Sequence, residues 1–320
     1  MSPFFSIIVP VWNREESIKR CLSSVAQQDY LDYEVVVVDD GSDDASLAVL
    51  KEYTDPRMRV LCHTNNQGVC AARHTATSHS CGAWVLSLDS DWTLVPSALS
   101  TLAALAARAS QDVGVIGAYA KSDQGELWPG NPLPDRVFGF VEFLNWMDTA
   151  QPSDFLSCRR REVFDEITWP TDRRLELQFN LRVARAWKTL VCRDVLATAF
   201  TDCSNRYMTD QSPCGVARKL ARAADEAKSH EEILEEFGAD LKRHVPRAYF
   251  NLLLGTSHKH FCAGNRLRGL KYAQIGLTQK PWIVRAYAKT LIGLMGPKAM
   301  ALLGSSQFAQ RFYHFVTRFA

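Results

Sequence analysis

Two short acidic segments carry the clearest chemistry in this 320-residue sequence: Asp39-Asp40-Gly41-Ser42 and Asp89-Ser90-Asp91. Asp89 and Asp91 are two residues apart across a predicted tight turn, so both carboxylates can approach one hard divalent cation. Such an ion prefers oxygen ligands and readily completes its shell with phosphate oxygens. Asp and Ser are also common in solvated turns, so Asp-Ser-Asp alone does not establish a metal site. What distinguishes the two interpretations is where the segments lie in the fold.

Apolar residues predict the strands that lead into these segments. Phe5–Val11 and Glu34–Val38 are apolar, β-branched runs typical of strands buried on both faces. Between them, residues at helical spacing predict a crossover helix capped by Asn13: Ile18, Leu22, Val25 and Ala26. The alternation continues with a strand over Arg59–Cys62, a helix over Val69–Ser78 and a strand over Ala83–Leu88, and further along with a strand over Val113–Ala120 and a helix over Leu175–Trp187. Strands that alternate with helices predict an α/β doubly wound sheet.

In such a sheet, ligands bind at the carboxyl ends of the strands. Pro10 and Trp12 lie at the end of the first predicted strand, and the acidic segments follow two others. Four carboxylates at one edge are costly unless a cation or hydrogen-bond donors balance them. The sequence therefore predicts a ligand site at this edge.

The order and spacing of several motifs resemble the family 2 inverting glycosyltransferases of GT-A fold. The closely matching segments are Ser6–Asn13, Val38–Ser42, Asn65–Gly68 with Ala71–Arg73, and Leu88–Asp91; weaker matches are Arg159-Arg160, Leu175–Arg182 and Arg206-Tyr207. The resemblance implies a GT-A domain with a Rossmann-like, mostly parallel sheet. It also implies transfer of a hexose or aminohexose from a nucleotide-diphosphate donor to a hydroxyl of a glycan or lipid-linked saccharide.

The resemblance also implies roles for individual residues at the donor site. Trp12 would stack on the base, with Pro10 beside it and Asp40 accepting a hydrogen bond from a base N–H. Core packing at the strand end is the alternative for Trp12. Three further residues would act on the diphosphate, the ribose or a Mn²⁺ or Mg²⁺ ion: Arg73 on the diphosphate or the acidic cluster, Asp89 on the ribose or metal, and Asp91 as the direct metal ligand. For Arg73 the alternative is a surface ion pair.

The catalytic base of the family lies in an acidic pair that opens a helix, six residues before an Arg. Aligning Arg182 with that Arg puts Glu176 at the second acidic position and Leu175 at the first, so one acid remains. Glu176 is the predicted base and Asp172 the second candidate; a solvated Glu at a helix N-terminus is the alternative. Where related chains often carry a His, this chain has Met208, a poor ligand for a hard ion, and Arg206 is expected to contact phosphate instead.

Other function classes lack their motifs. Pro10–Arg14 has no Gly, which argues against a nucleotidyltransferase with a phosphate loop and against a Rossmann dehydrogenase. A family member that binds a nucleotide sugar or a partner without turnover remains the alternative, because the acidic pair is reduced. The nine Cys show no Cys-x-x-Cys spacing, and we find no signal segment or transmembrane helix, so we expect a reduced, cytoplasmic setting and buried thiols.

The C-terminal part of the sequence is helical and basic. The pattern predicts a catalytic domain over residues 1–225 and a basic helical region over 226–320. Residues 239–320 hold thirteen basic residues and one acid, Asp240, whereas the first 238 residues hold 24 basic and 34 acidic ones. An apolar stripe accompanies them, comprising Ile283, Tyr287, Leu291, Leu294 and Met295. This composition favours a helix lying on an anionic membrane surface; packing on the acidic catalytic domain is the alternative.

Overall fold

The computed structural model describes residues 2–134, 136–149, 155–201 and 213–279, with side chains left out at 149 and 213–220. Contacts divide the chain into two compact units, residues 1–205 and 206–320. The boundary predicted near residue 225 lies within a helix that runs Pro213–His244.

The first unit contains one nine-stranded sheet. Its strands are β1 Phe5–Val11, β2 Tyr33–Asp39, β3 Met58–Cys62, β4 Trp84–Ser87, β5 Trp92–Leu94, β6 Val113–Ser122, β7 Leu127–Trp128, β8 Leu156–Arg160 and β9 Lys188–Ala199. The strand order is β3-β2-β1-β4-β8-β6-β9-β5, and β7 pairs with β6. Strands β3, β2, β1 and β4 are mutually parallel, as are β6 and β9. Strand β8 joins the two groups antiparallel to both β4 and β6. The α/β fold class predicted from the sequence is confirmed.

Helices connect and cover these strands. In the first unit they are α1 Ser17–Ala26, α2 Ser46–Lys51, α3 Val69–Ser78, α4 Ala98–Ala106, α5 Phe140–Thr149, α6 Arg161–Glu166 and α7 Glu176–Ala186, with a 3-10 turn at Arg173–Leu175. All seven residues of β1 are buried, as the unbroken apolar run predicts. Asn13 does not cap α1: its backbone is left-handed, with φ 52°. Glu16 stands at the helix N-cap instead.

The second unit contains α8 Pro213–His244, α9 Pro246–Cys262 and α10 Arg266–Gln279. Lys259 of α9 pairs with Glu226 of α8, and Arg268 of α10 lies 3.3 Å from Glu231. Part of the basic charge of this region is therefore balanced by acids of α8. The predicted apolar stripe, from Ile283 to Met295, lies outside the described residues.

Candidate functional site

The loops that follow β1 and β2 are tied to each other. The Asn13 backbone N–H donates to Ser42 Oγ at 3.0 Å, and the Asp43 N–H donates to Asn13 Oδ1 at 2.8 Å. Beside them, Trp12 is 37% exposed, so it does not pack in the core. Pro10 is buried inside β1, opposite Val38 of β2. The strand therefore carries the indole to the surface at the sheet edge, where an aromatic face is available to a ligand.

The first acidic segment is held by hydrogen bonds from its own surroundings. Asp40 is only 2% exposed and accepts from the Gln67 N–H at 2.9 Å, the Gly68 N–H at 2.7 Å and His63 Nδ1 at 2.6 Å. Asp39 Oδ1 accepts from the Ser42 hydroxyl. Hydrogen-bond donors thus balance these two charges among the described residues. One acceptor site of Asp40 stays open, because a carboxylate offers about four and three are used.

Gly41 brings the loop after β2 against the segment before α3. Its φ is 67°, and a Cβ there would lie 2.6 Å from the carbonyl carbon of Asn65. Only glycine adopts this backbone conformation without cost and leaves room for the neighbouring chain. The Gly in the acidic motif is therefore required for the close approach that gives Asp40 its two backbone donors.

Arg73 joins the second acidic segment to helix α7. Its Nη2 donates to Asp89 Oδ1 and its Nη1 to Glu176 Oε1, both at 2.7 Å. Burial lowers the pKa of Arg73, but the charges of Asp89 and Glu176 outweigh it, so the net effect is a raised pKa. The guanidinium stays charged and fixes two carboxylates that are 87 positions apart in the sequence.

Asp89 and Asp91 lie in the loop that follows β4. Both charges act on one thiol, since burial and then Asp91 and Asp89 raise the pKa of Cys21. Asp89 Oδ2 accepts no hydrogen bond from any described residue. The two carboxylates are hard oxygen donors in the pattern that a divalent cation prefers. Within the described ranges no three His, Cys, Asp or Glu side chains are grouped to hold a metal. A cation here would need further ligands from a bound diphosphate or from water.

Helix α7 begins with the predicted base. Glu176 is its first residue, where the helix dipole stabilises a negative charge, and Leu175 precedes it. Oε1 of Glu176 accepts from Arg73, while Oε2 lies 3.9 Å from Arg173 Nε. The carboxylate of Asp172 has a different partner, since it accepts hydrogen bonds from the backbone N–H and the guanidinium of Arg174. The geometry thus brings Glu176, and not Asp172, to Arg73 and Asp89.

A cavity of about 230 Å³ opens between β4, β8 and α7, with Arg73, Asp89 and Glu176 in its lining. Aromatic side chains form much of the wall: Trp92, Phe143, Trp146, Phe155 and Trp169. Such rings offer apolar faces with the size of a sugar ring. Arg159 of β8 also lines the cavity. The family resemblance includes Arg159 but implies no role for it. The local sequence pattern does not indicate which face of β8 meets α7.

Two predictions about the site meet the limits of the described chain. Arg206 and Met208 lie outside the described residues. The cysteines that can be described, seven in number, are free thiols; four of them are buried, but the expectation of buried thiols is wrong for Cys62 and Cys81, which are exposed. Burial raises the pKa of Cys70 to about 12, helped by the charge of Glu176, so this thiol beside the site is inert at neutral pH.

Residues 6–168 match the family model of glycosyl transferase family 2, which is about half of the chain. The chain belongs to this family. It is 35% identical to the glycosyltransferase GlyA of Streptococcus pneumoniae serotype 4 over 156 residues, 47% of this chain and 22% of GlyA. It is 37% identical over 86 residues to WfgD of Escherichia coli, a UDP-Glc:alpha-D-GlcNAc-diphosphoundecaprenol beta-1,3-glucosyltransferase, covering 27% of this chain and 34% of WfgD. The chain thus spans about a third or less of these curated relatives.

Among solved structures, S. aureus TarS 1-349 in complex with UDP-GlcNAc resembles the chain with a TM-score of 0.57 at 20% identity. The similarity covers 97% of this chain and 92% of that one. At this identity the likeness establishes the fold, and the predicted GT-A fold with its C-terminal helical region is confirmed.

Proposed function

We propose that the chain is a metal-dependent inverting glycosyltransferase that moves a sugar from a nucleotide-diphosphate donor to a hydroxyl of a glycan or lipid-linked saccharide. The observation that carries this proposal is the Asp89–Arg73–Glu176 bridge at the mouth of an aromatic-lined cavity. It fixes a carboxylate of the β4 loop and a carboxylate of α7 on the two sides of the space where a sugar would react. Polysaccharide assembly is the process that such a reaction would serve.

The donor would lie along the sheet edge. Trp12 stacks on the base, and the open acceptor site of Asp40 takes a base N–H. Asp91 and Asp89 would hold Mn²⁺ or Mg²⁺, and such an ion would supply positive charge that neutralises the leaving diphosphate. Arg73 keeps Asp89 in place and adds positive charge on the same side. Arg206, which lies outside the described residues, is also proposed to contact phosphate.

Glu176 is the proposed general base. Its Oε2 takes the proton of the acceptor hydroxyl while that oxygen forms a bond to the anomeric carbon. The bond from the anomeric carbon to the diphosphate breaks, and its electron pair leaves with the diphosphate. Attack from the face opposite the leaving group inverts the anomeric configuration. Arg73 orients the carboxylate by holding Oε1, so Oε2 is the oxygen left for the proton.

A panel of nucleotide sugars tests the donor assignment. Thermal unfolding is followed with each compound, with and without Mn²⁺; a ligand at about 100 times its Kd adds roughly 2.7 kcal/mol to the free energy of unfolding. We expect one base and sugar to raise the midpoint, and more so with Mn²⁺. Release of nucleoside diphosphate with an acceptor then separates an enzyme from a protein that binds without turnover. A protein that binds without turnover is not favoured, because Glu176 keeps one carboxylate oxygen, Oε2, for proton transfer.

We also propose that the basic C-terminal region holds the protein at an anionic, cytoplasmic membrane surface. The excess of basic residues in 239–320 supports this proposal. No helix within the described ranges is both long and apolar enough to cross a bilayer.

A further inference from the structure

Arg159 is a buried cation whose charge has no carboxylate partner among the described residues. Arg159 is the fourth of the five residues of β8 and is 8% exposed. Its Nη1 donates to Ser157 Oγ at 2.8 Å and its Nη2 to Asn180 Oδ1 at 3.2 Å, both neutral acceptors. Its Nε–H is buried and donates to no described residue. A buried charge is costly unless a counter-charge and hydrogen bonds compensate it.

The neighbouring cation is in the opposite situation. Arg73 is bonded to both Asp89 and Glu176, so each of these carboxylates already has a guanidinium partner. Burial, and then the positive charge of Arg73, lower the pKa of Arg159 to about 10. Arg159 is therefore still a cation at neutral pH. The charged residues of the described lining balance in number, two guanidiniums and two carboxylates, but both carboxylates are bonded to Arg73 and neither forms an ion pair with Arg159.

Two aromatic rings hold Arg159 in the wall of the cavity. The centres of the Trp169 and Phe179 rings lie 5.0 and 5.5 Å from its Cζ, within the range of cation–π contacts. Three more residues of the cavity lining each have a buried polar atom that bonds to no described residue: Ser87 Oγ, Arg73 Nε and Trp169 Nε1. With Arg159 Nε, four unused polar atoms in the lining of one aromatic-walled cavity indicate a polar ligand.

The sheet order puts Arg159 on the far side of β4 from the residues proposed to bind the base. Strand β4 lies between β1 and β8, and Arg159 pairs in register with Val85 of β4. Trp12 and Asp40 follow β1 and β2, on the other side of β4 from Arg159. If the donor lies along the edge as proposed, its sugar and the acceptor are the parts that reach the β8 side.

We propose that Arg159 selects a saccharide that bears a carboxylate or a phosphate in this cavity. The inference rests on the proposed function, because that function supplies the saccharide. A planar guanidinium binds either oxyanion through paired hydrogen bonds, so the two anions share one recognition chemistry. The group is carried either by the transferred sugar or by the acceptor, and the two sources are separable by experiment.

Binding of matched pairs of compounds tests the proposal on the full-length protein. The donor pair consists of a nucleoside-diphosphate glucose and the corresponding nucleoside-diphosphate glucuronic acid. Both carry the base that binds most tightly in the thermal unfolding panel, or uracil if none binds. The acceptor probes are methyl glucoside, methyl glucuronide and methyl glucoside 6-phosphate, measured with and without the nucleoside diphosphate and Mn²⁺. Calorimetry gives each Kd. We expect the anionic members of one of these sets to bind about 10- to 100-fold more tightly than the neutral member.

Variants assign any such preference to Arg159. R159Q removes the charge and should abolish the preference for the anionic compound. R159K keeps a charge but lacks the paired N–H donors of the guanidinium, so it should retain only part of the preference. R57Q is the matched control: it removes one guanidinium, that of a residue paired with Asp55 outside the cavity, and should keep the full preference. R159K and wild type still provide the test if R159Q does not fold.

The outcomes separate this inference from the proposed function. Equal affinity of wild type for neutral and anionic members of both sets overturns the inference, even when the nucleoside diphosphate binds well. A preference that survives in R159Q also overturns it. A parallel loss of affinity for the plain nucleoside diphosphate in R159Q would place Arg159 on the diphosphate and would likewise contradict the assignment. Absence of nucleotide binding in wild type would instead contradict the proposed function.

Discussion

Arg73 sets the relative positions of the reactive groups at the scale of single side chains. The two terminal nitrogens of its guanidinium each donate to a carboxylate at 2.7 Å. Neither Asp89 nor Glu176 is therefore free to turn away from the other. Trp12 contributes at the opposite end of the site through an exposed indole. Each of these side chains has a distinct expected effect when it is changed.

Replacing Trp12 should weaken donor binding and leave the fold intact. Stacking of a base on an aromatic ring contributes about 1–3 kcal/mol, so W12A should raise the donor Kd by roughly 5- to 150-fold. W12F keeps an aromatic face and should lose much less. Calorimetry with the nucleoside diphosphate checks both variants. Equal affinity of W12A and wild type would show that Trp12 does not contact the base.

Asp91 should determine the dependence of donor binding on metal. D91N keeps the side-chain volume but removes the charge, so the gain in donor affinity on adding Mn²⁺ should disappear. D43N, which removes a charge from an exposed residue of the neighbouring loop, is the control and should keep that gain. The measurement is calorimetry with and without Mn²⁺. A D91N protein that still binds donor more tightly with Mn²⁺ would contradict the metal assignment.

The loop after β2 controls the site at the scale of secondary-structure elements. Asp40 receives its backbone donors only because the loop containing Gly41 approaches Asn65 closely. The loop, the strand before it and the start of α3 therefore act as one unit that shapes the edge proposed to bind the base.

G41A should lower both stability and donor affinity. The left-handed backbone costs about 1–3 kcal/mol in a non-glycine residue, and the new Cβ would also meet the Asn65 backbone. G125A is a matched control: Gly125 has φ +89° but nothing within 4 Å of the added Cβ, so only the backbone cost applies. Urea unfolding should show a larger loss for G41A than for G125A. Equal losses would mean that the close approach has no energetic importance.

Sequence patterns predicted the elements whose periodicity is local. Strand Phe5–Val11 and helix Val69–Ser78 have the bounds expected from their apolar runs. Strand β9 was missed, because Arg193 and Asp194 interrupt its apolar pattern and its register with β6 shifts twice near Tyr119. The antiparallel insertion of β8 between β4 and β6 was also missed, since pairing between strands distant in sequence leaves no local signal.

The site was predictable to the extent that its residues follow strand ends. Asp89, Asp91 and Trp12 occupy the edge that parallel strands define. The link from Arg73 to Glu176 and the exposure of Arg159 to the cavity depend on how α7 packs over β8. That packing is a tertiary property, which single-sequence periodicity does not contain.

At the scale of the whole molecule, charge is distributed unevenly along the chain. Two basic residues of the helical unit, Lys259 and Arg268, are balanced by acids of α8. Residues 280–320 carry six basic residues and no acidic one. This excess is the charge that we propose to meet an anionic surface, where each basic residue contributes about 1 kcal/mol.

Vesicle co-sedimentation tests the membrane proposal. The full-length protein should pellet with vesicles containing anionic lipid at low salt, stay in solution with neutral vesicles, and be released as ionic strength rises. A double variant, R285Q with K289Q, should bind more weakly. Protein that remains in the supernatant with anionic vesicles at low salt would contradict membrane binding and favour a packing role for the region.

The turnover of wild type against E176Q tests the central claim most directly. Nucleoside diphosphate release is measured with the donor selected by the thermal panel, an acceptor and Mn²⁺, and donor Kd is measured in parallel. Loss of a general base predicts a fall in kcat of about 10²- to 10⁴-fold with donor affinity nearly unchanged. D172N should retain near wild-type kcat. An E176Q protein that turns over donor as fast as wild type, while D172N does not, would contradict the account of the site.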